Sequence, residues 1–98
     1  MAIMLISEYE DLAVDGRGNV VQAGQEPAIA EQNITFTVST ASAAFNERTR
    51  FVRISCDTEA FLKFGASPTA VTAQGVNVQA DTPEFFGVVK GQKVAAVT

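Results

Sequence analysis

The sequence predicts an all-β protein: a small antiparallel β-sandwich or jelly-roll-like barrel with an extended N-terminal arm. Three observations point there. Residues 33–40, 49–56 and 59–64 alternate with period two, as half-buried strands do. Turn residues recur about every 8–12 positions. No stretch of about 10–12 residues carries the i, i+3, i+4 apolar stripe of a helix. At 98 residues the chain is one domain. It divides into an arm over residues 1–32 and a sandwich core over residues 33–98.

The arm reads as extended and loop-rich. Ile3 to Ile6 is a short strand or an apolar arm. Glu8, Glu10, Asp11 and Asp15 follow as an acidic stretch. Asp15-Gly16-Arg17-Gly18-Asn19 is a turn, because Gly and Asn tolerate positive φ. Asn19 to Ala23 can follow as a strand, and Gly24-Gln25-Glu26-Pro27 turns again.

The core begins at Asn33. Ile34, Phe36 and Val38 share one face of a strand, with Thr35, Thr37 and Ser39 on the other. Ala41 to Phe45 is a small-residue connection, and Asn46-Glu47-Arg48 turns. From Thr49 to Cys56, Val52, Ile54 and Cys56 oppose Phe51, Arg53 and Ser55. After the Asp57-Thr58 turn, Ala60, Leu62 and Phe64 oppose Phe61 and Lys63. Gly65 to Pro68 is a loop. Thr69 to Gln74 is predicted extended, Gly75 breaks it, and Val76 and Val78 share a face. Ala80 to Pro83 turns, Glu84 to Val89 is a strand, Lys90-Gly91-Gln92 is a tight turn, and Lys93 to Val97 is the last strand.

Composition excludes most chemistry. The chain has no His, no Trp and one Cys. A Ser–His–Asp or Cys–His centre cannot be built from it. A zinc site has too few ligands of its usual kind. Carboxylate pairs remain for glycoside hydrolysis, but the cleft aromatics that hold sugar are missing, since Tyr9 is the only Tyr. Asp11 to Gln22 can be laid on a calcium loop, with Gly16 at its sharp turn. Ala13 and Gln22 then fail as ligands, and a solvated acidic turn is the better reading. Gly16-Arg17-Gly18 lacks the setting of a phosphate loop. The chain reads as a non-enzyme with no cofactor and no metal.

Charge and patterning narrow the partners. The net charge is −4, which disfavours sequence-independent nucleic-acid binding. No apolar run is long enough to span a membrane. The start lacks the basic region of a signal peptide, and Cys56 has no partner for an internal bridge, so synthesis in a reducing cytoplasm is expected. Phe85-Phe86, Phe51-Val52 and Phe61-Leu62 place apolar side chains on both faces of their strands. A thin sandwich cannot enclose both faces, so either a loop or another subunit covers the second, and a subunit contact is the expected one. The candidate interface residues are Ile3, Met4, Leu5 and Ile6 of the arm, with Phe85 and Phe86.

Several stretches carry a family resemblance. They are Thr49-Arg50-Phe51-Val52-Arg53-Ile54-Ser55-Cys56-Asp57, Phe64-Gly65-Ala66-Ser67-Pro68-Thr69-Ala70, Ala80-Asp81-Thr82-Pro83-Glu84-Phe85-Phe86 and Gly91-Gln92-Lys93-Val94-Ala95-Ala96-Val97. Together they resemble small β-sandwich accessory virion proteins of tailed bacteriophages, over about two thirds of the chain from near Asn33 onward. The resemblance implies a capsid decoration or cement protein that bridges major capsid subunits, often as a homotrimer. Its place would be the capsid exterior, after assembly in the host cytoplasm. A tail, neck or fibre component, or a carbohydrate-binding module, is the alternative.

Overall fold

A computed structural model describes residues 2–98 of the chain. Two four-stranded antiparallel sheets face each other, and a two-stranded hairpin stands apart from them. The strands are β1 (Ala2–Tyr9), β2 (Leu12–Val14), β3 (Val20–Gly24), β4 (Ala30–Phe36), β5 (Thr40–Ala41), β6 (Phe51–Cys56), β7 (Ala60–Gly65), β8 (Val76–Val78), β9 (Glu84–Gly87) and β10 (Lys93–Val97). The first sheet has the order β4-β1-β6-β9 and the second β5-β10-β7-β8; β2 and β3 form the hairpin. Among the described residues the sheets stay separate, so the fold is a sandwich with four free edges. The expected all-β antiparallel fold is what the chain forms.

The expected arm is corrected. Residues 2–9 form a central strand, paired with β4 on one side and β6 on the other. Ala2, Met4 and Ile6 point into the core and are almost wholly buried. Their alternation was masked because Ile3 and Leu5, on the opposite face, are apolar too. A strand that is apolar on both faces reads as an unpatterned run. The boundary at residue 33 also falls inside β4. Only the β2–β3 hairpin keeps the projecting character of an arm. Met1, the first arm residue, lies outside the described residues.

The core lies between the sheets. Met4, Ile6, Val52, Ile54 and Cys56 of the first sheet meet Leu62, Val78 and Val94 of the second, all with 1% exposure or less. Each such aliphatic side chain contributes about 1.5–3 kcal/mol when removed from water. The alternation in β6 and β7 matches the sequence reading, with the named inner residues inside. Two expectations fail locally. β4 ends at Phe36, where the chain crosses to the other sheet, so Val38 is 72% exposed instead of lying beside Ile34. Residues 69–74 do not extend; the Gln74 N–H closes a turn onto the Val71 carbonyl at 3.1 Å.

One buried charge sits in this core. Glu8 follows Met4 and Ile6 on the inner face of β1 and is 2% exposed. Its Oε1 accepts from Asn46 N–H at 2.9 Å and Thr49 Oγ1–H at 2.7 Å, and Oε2 from Gln32 Nε2 at 3.0 Å. Gln32 continues the network by accepting from Ala43 N–H at 2.9 Å. A carboxylate leaves water at acceptable cost only with such partners. Glu8 thus ties β1 to β4 and to the 42–49 connection.

Candidate interaction surface

The outer face of the first sheet carries the molecule's most distinctive surface. Cross-strand register places Tyr9, Phe51 and Gly87 in one row and Ser7, Arg53 and Phe85 in the next. The three rings therefore meet: Tyr9 and Phe51 stack at 5.4 Å between centroids, and Phe85 lies 6.2 Å from Tyr9 and 6.0 Å from Phe51. Aromatic pairs at such spacings add about 0.5–1.5 kcal/mol beyond area burial.

The hairpin covers one end of this cluster. Gly24 lies flat on the Tyr9 ring; a Cβ there would come 2.5 Å from Cδ1. The Tyr9 hydroxyl donates to Glu26 Oε2 at 2.6 Å. Burial first, and then this bond to a carboxylate, push the phenol above its ordinary value of 10.0. Tyr9 is thereby 2% exposed, while Phe85 at the far side is 46% exposed. Between the hairpin and Phe85 lies a recess of about 240 Å³, lined by Leu12, Gln22 and Ala23 on one side and Phe51, Phe85, Phe86 and Gly87 on the other.

Further apolar side chains are exposed on both sides, in one direction beyond Ser7, Arg53 and Ser55. The hairpin presents Leu12, Val14, Val20 and Val21, and Val20 is 63% exposed. Asp15 fixes its turn: the carboxylate accepts from Asn19 N–H at 3.0 Å and Arg17 N–H at 2.8 Å, which lowers its pKa below 3.8. Asp15 therefore serves the turn itself. At the other end of the outer face stand Ile3 and Leu5, the latter 50% exposed.

The six expected interface residues divide by strand parity. Ile3, Leu5 and Phe85 lie on the exposed outer face. Met4 and Ile6 are core and cannot meet a partner without unfolding. Phe86 points inward, half-buried, with its ring 5.3 Å from Phe64 of the opposite sheet. It contributes only to the rim of the recess. Sequence reading missed Tyr9 and the four hairpin residues. Period-two parity from Met4 gives Tyr9 its outward direction, but nothing local shows the hairpin folding back over it.

Elsewhere the chemistry is quiet. Cys56 is buried and its thiol is pushed up to about 11, mainly by desolvation and further by Asp57. Arg48 and Glu10 form an exposed ion pair at 2.6 Å. Among the described residues no three His, Cys, Asp or Glu side chains are placed to hold a metal ion. No protein family, curated protein or solved structure matches the chain.

Proposed function

We propose that the protein is a structural component of a tailed-phage virion, a decoration or cement protein that binds across major capsid subunits. The observation that best supports this reading is the exposed apolar side chains of the outer face, Ile3 and Leu5 at one end and Phe85 with the hairpin residues at the other, with Ser7, Arg53 and Ser55 between them. Clusters of exposed apolar side chains mark association sites. A rigid sandwich with a projecting hairpin is suited to lie across a joint and reach a neighbouring subunit. Its role is mechanical: area buried across a joint resists the pressure of packaged DNA. The resemblance of residues 33–98 to accessory virion proteins carries the phage assignment, and it implies threefold association on the shell.

The test is co-sedimentation of the purified chain with DNA-free heads of the virus that encodes it. Stoichiometric binding is expected. Phe85→Glu and Leu5→Glu should each abolish it while leaving the circular dichroism spectrum unchanged. No binding to heads by the folded wild-type chain would overturn the reading and direct attention to tail, fibre or carbohydrate partners.

A further inference from the structure

The sandwich has four edge strands, and they are unequal. β5 has two residues, β8 three, and β9 four with Pro83 immediately before it. Shortness and proline are ordinary protections against pairing with another chain. β4 has seven residues and pairs with β1 in unbroken register from Ala30 to Phe36. It contains no Pro, no Lys and no bulge, and Glu31 is its one charge.

Register also shows which backbone groups of β4 are free. The Asp57 N–H donates to the Ile3 carbonyl at 3.1 Å, and the Arg50 N–H to the Tyr9 carbonyl at 2.9 Å, both on the β6 side. Odd residues of β1 thus turn their backbone toward β6, and even residues toward β4. The even residues of β1 pair with Ala30, Gln32, Ile34 and Phe36. Glu31, Asn33 and Thr35 therefore aim N–H and C=O away from the sheet, and all three are exposed. The nearby 42–49 connection does not cap this edge, since Ala43 bonds the Gln32 side chain and not the strand's backbone.

We propose that β4 pairs antiparallel with β4 of a second copy about a two-fold axis at Asn33, joining two four-stranded sheets into one of eight strands. The full strand is self-complementary in that register. Asn33 meets Asn33 of the second copy, Glu31 meets Thr35, and no like charges oppose. The outward residues form three pairs that each exchange two backbone hydrogen bonds. Leu5 and Ile3, cross-strand from Asn33 and Thr35, flank the polar outer side of the seam in both copies. An isologous contact of this kind closes at two copies, unlike the threefold association considered above. It does not depend on the virion reading.

Sedimentation equilibrium of the full chain, from micromolar to millimolar, tests it. A monomer–dimer equilibrium is expected. Thr35→Glu opposes two pairs of carboxylates and should raise the dissociation constant roughly fivefold or more, with the larger effect at low salt. Glu31→Lys added to Thr35→Glu makes both pairs attractive and should restore dimerisation. Asn33→Pro removes an outward N–H only and should give a folded monomer by circular dichroism. A wild-type chain that is monomeric throughout, or trimeric, overturns the proposal, as does a Thr35→Glu dimer of unchanged affinity. A monomer that still binds heads would overturn this pairing and leave the virion reading standing.

Discussion

Glu8 shows how much one residue can hold in so thin a core. Glu8→Ala leaves the buried Thr49 Oγ1–H and the part-buried Asn46 N–H and Gln32 amide without this acceptor, and should cost about 1–3 kcal/mol in urea unfolding, the cost of an orphaned buried donor. Glu8→Gln keeps one carbonyl oxygen and should cost less. Gly24 acts through space instead of polarity. Gly24→Ala drives a methyl group into the Tyr9 ring, so either the ring or the hairpin must move, at about 1–3 kcal/mol. Because Tyr9 is the only Tyr and Trp is absent, near-ultraviolet Tyr signals report that movement directly.

Cys56 and Tyr9 also set the response to alkali. Both acids are raised by burial, so folding favours their protonated forms. Their stabilising contribution is complete below the ordinary values of 9.0 and 10.0. For the thiol it is lost as pH rises toward about 11, and the phenol acts in the same direction above 10.0. The urea midpoint should stay flat from pH 7 to 9 and fall toward pH 11, less steeply in Cys56→Ala. Alkylation of Cys56 at neutral pH should proceed only at the rate of unfolding.

At the scale of elements, β1 and the hairpin have opposite standing. β1 is central, with hydrogen-bonded neighbours on both sides, whereas β2 and β3 pair only with each other. Asp11 and Gln25 already close the hairpin's base, through a Gln25 N–H to Asp11 carbonyl bond at 3.0 Å. Replacing residues 12–24 with a two-residue Asn-Gly link should preserve the sandwich, uncover Tyr9 and reduce binding to heads. The hairpin turn has its own acid sensitivity. Asp15's pKa is lowered by the Asn19 and Arg17 amides, so the turn is fully held above pH 3.8 and loosens as pH falls below it. Amide exchange at Asn19 and Arg17 should quicken there before the core amides respond.

For the whole molecule, shape follows from these elements. The accessible surface is 5681 Å², against roughly 5,400 Å² expected for this mass. The radius of gyration is 13.4 Å, against about 12.6 Å for a compact chain of this length. With extents of 44 × 26 × 20 Å, the molecule is drawn out, as a two-layer sandwich with a projecting hairpin should be. Deleting residues 1–9 removes a strand from the middle of one layer and should leave an unfolded chain by circular dichroism. The hairpin excision should fold, so the pair of truncations separates a core strand from an appendage.

The sequence alone determined the class of fold and most strand positions. In β6 and β7 one face is apolar and the other mixed, so period two is visible along the chain and parity assigns each side chain to a face. The same alternation set Phe51 opposite the inner residues of β6, but it left open which of Phe85 and Phe86 faces out. What only tertiary structure decided concerns pairing between distant residues. β1 is apolar on both faces, so its period vanished until β4 and β6 were seen to flank it. Glu8 resembled its acidic neighbours until its donors arrived from residues 32, 46 and 49. The edge of β4 and the cover over Tyr9 likewise depend on which strands become neighbours. Local pattern encodes the direction of a side chain, but not what the rest of the chain brings to meet it.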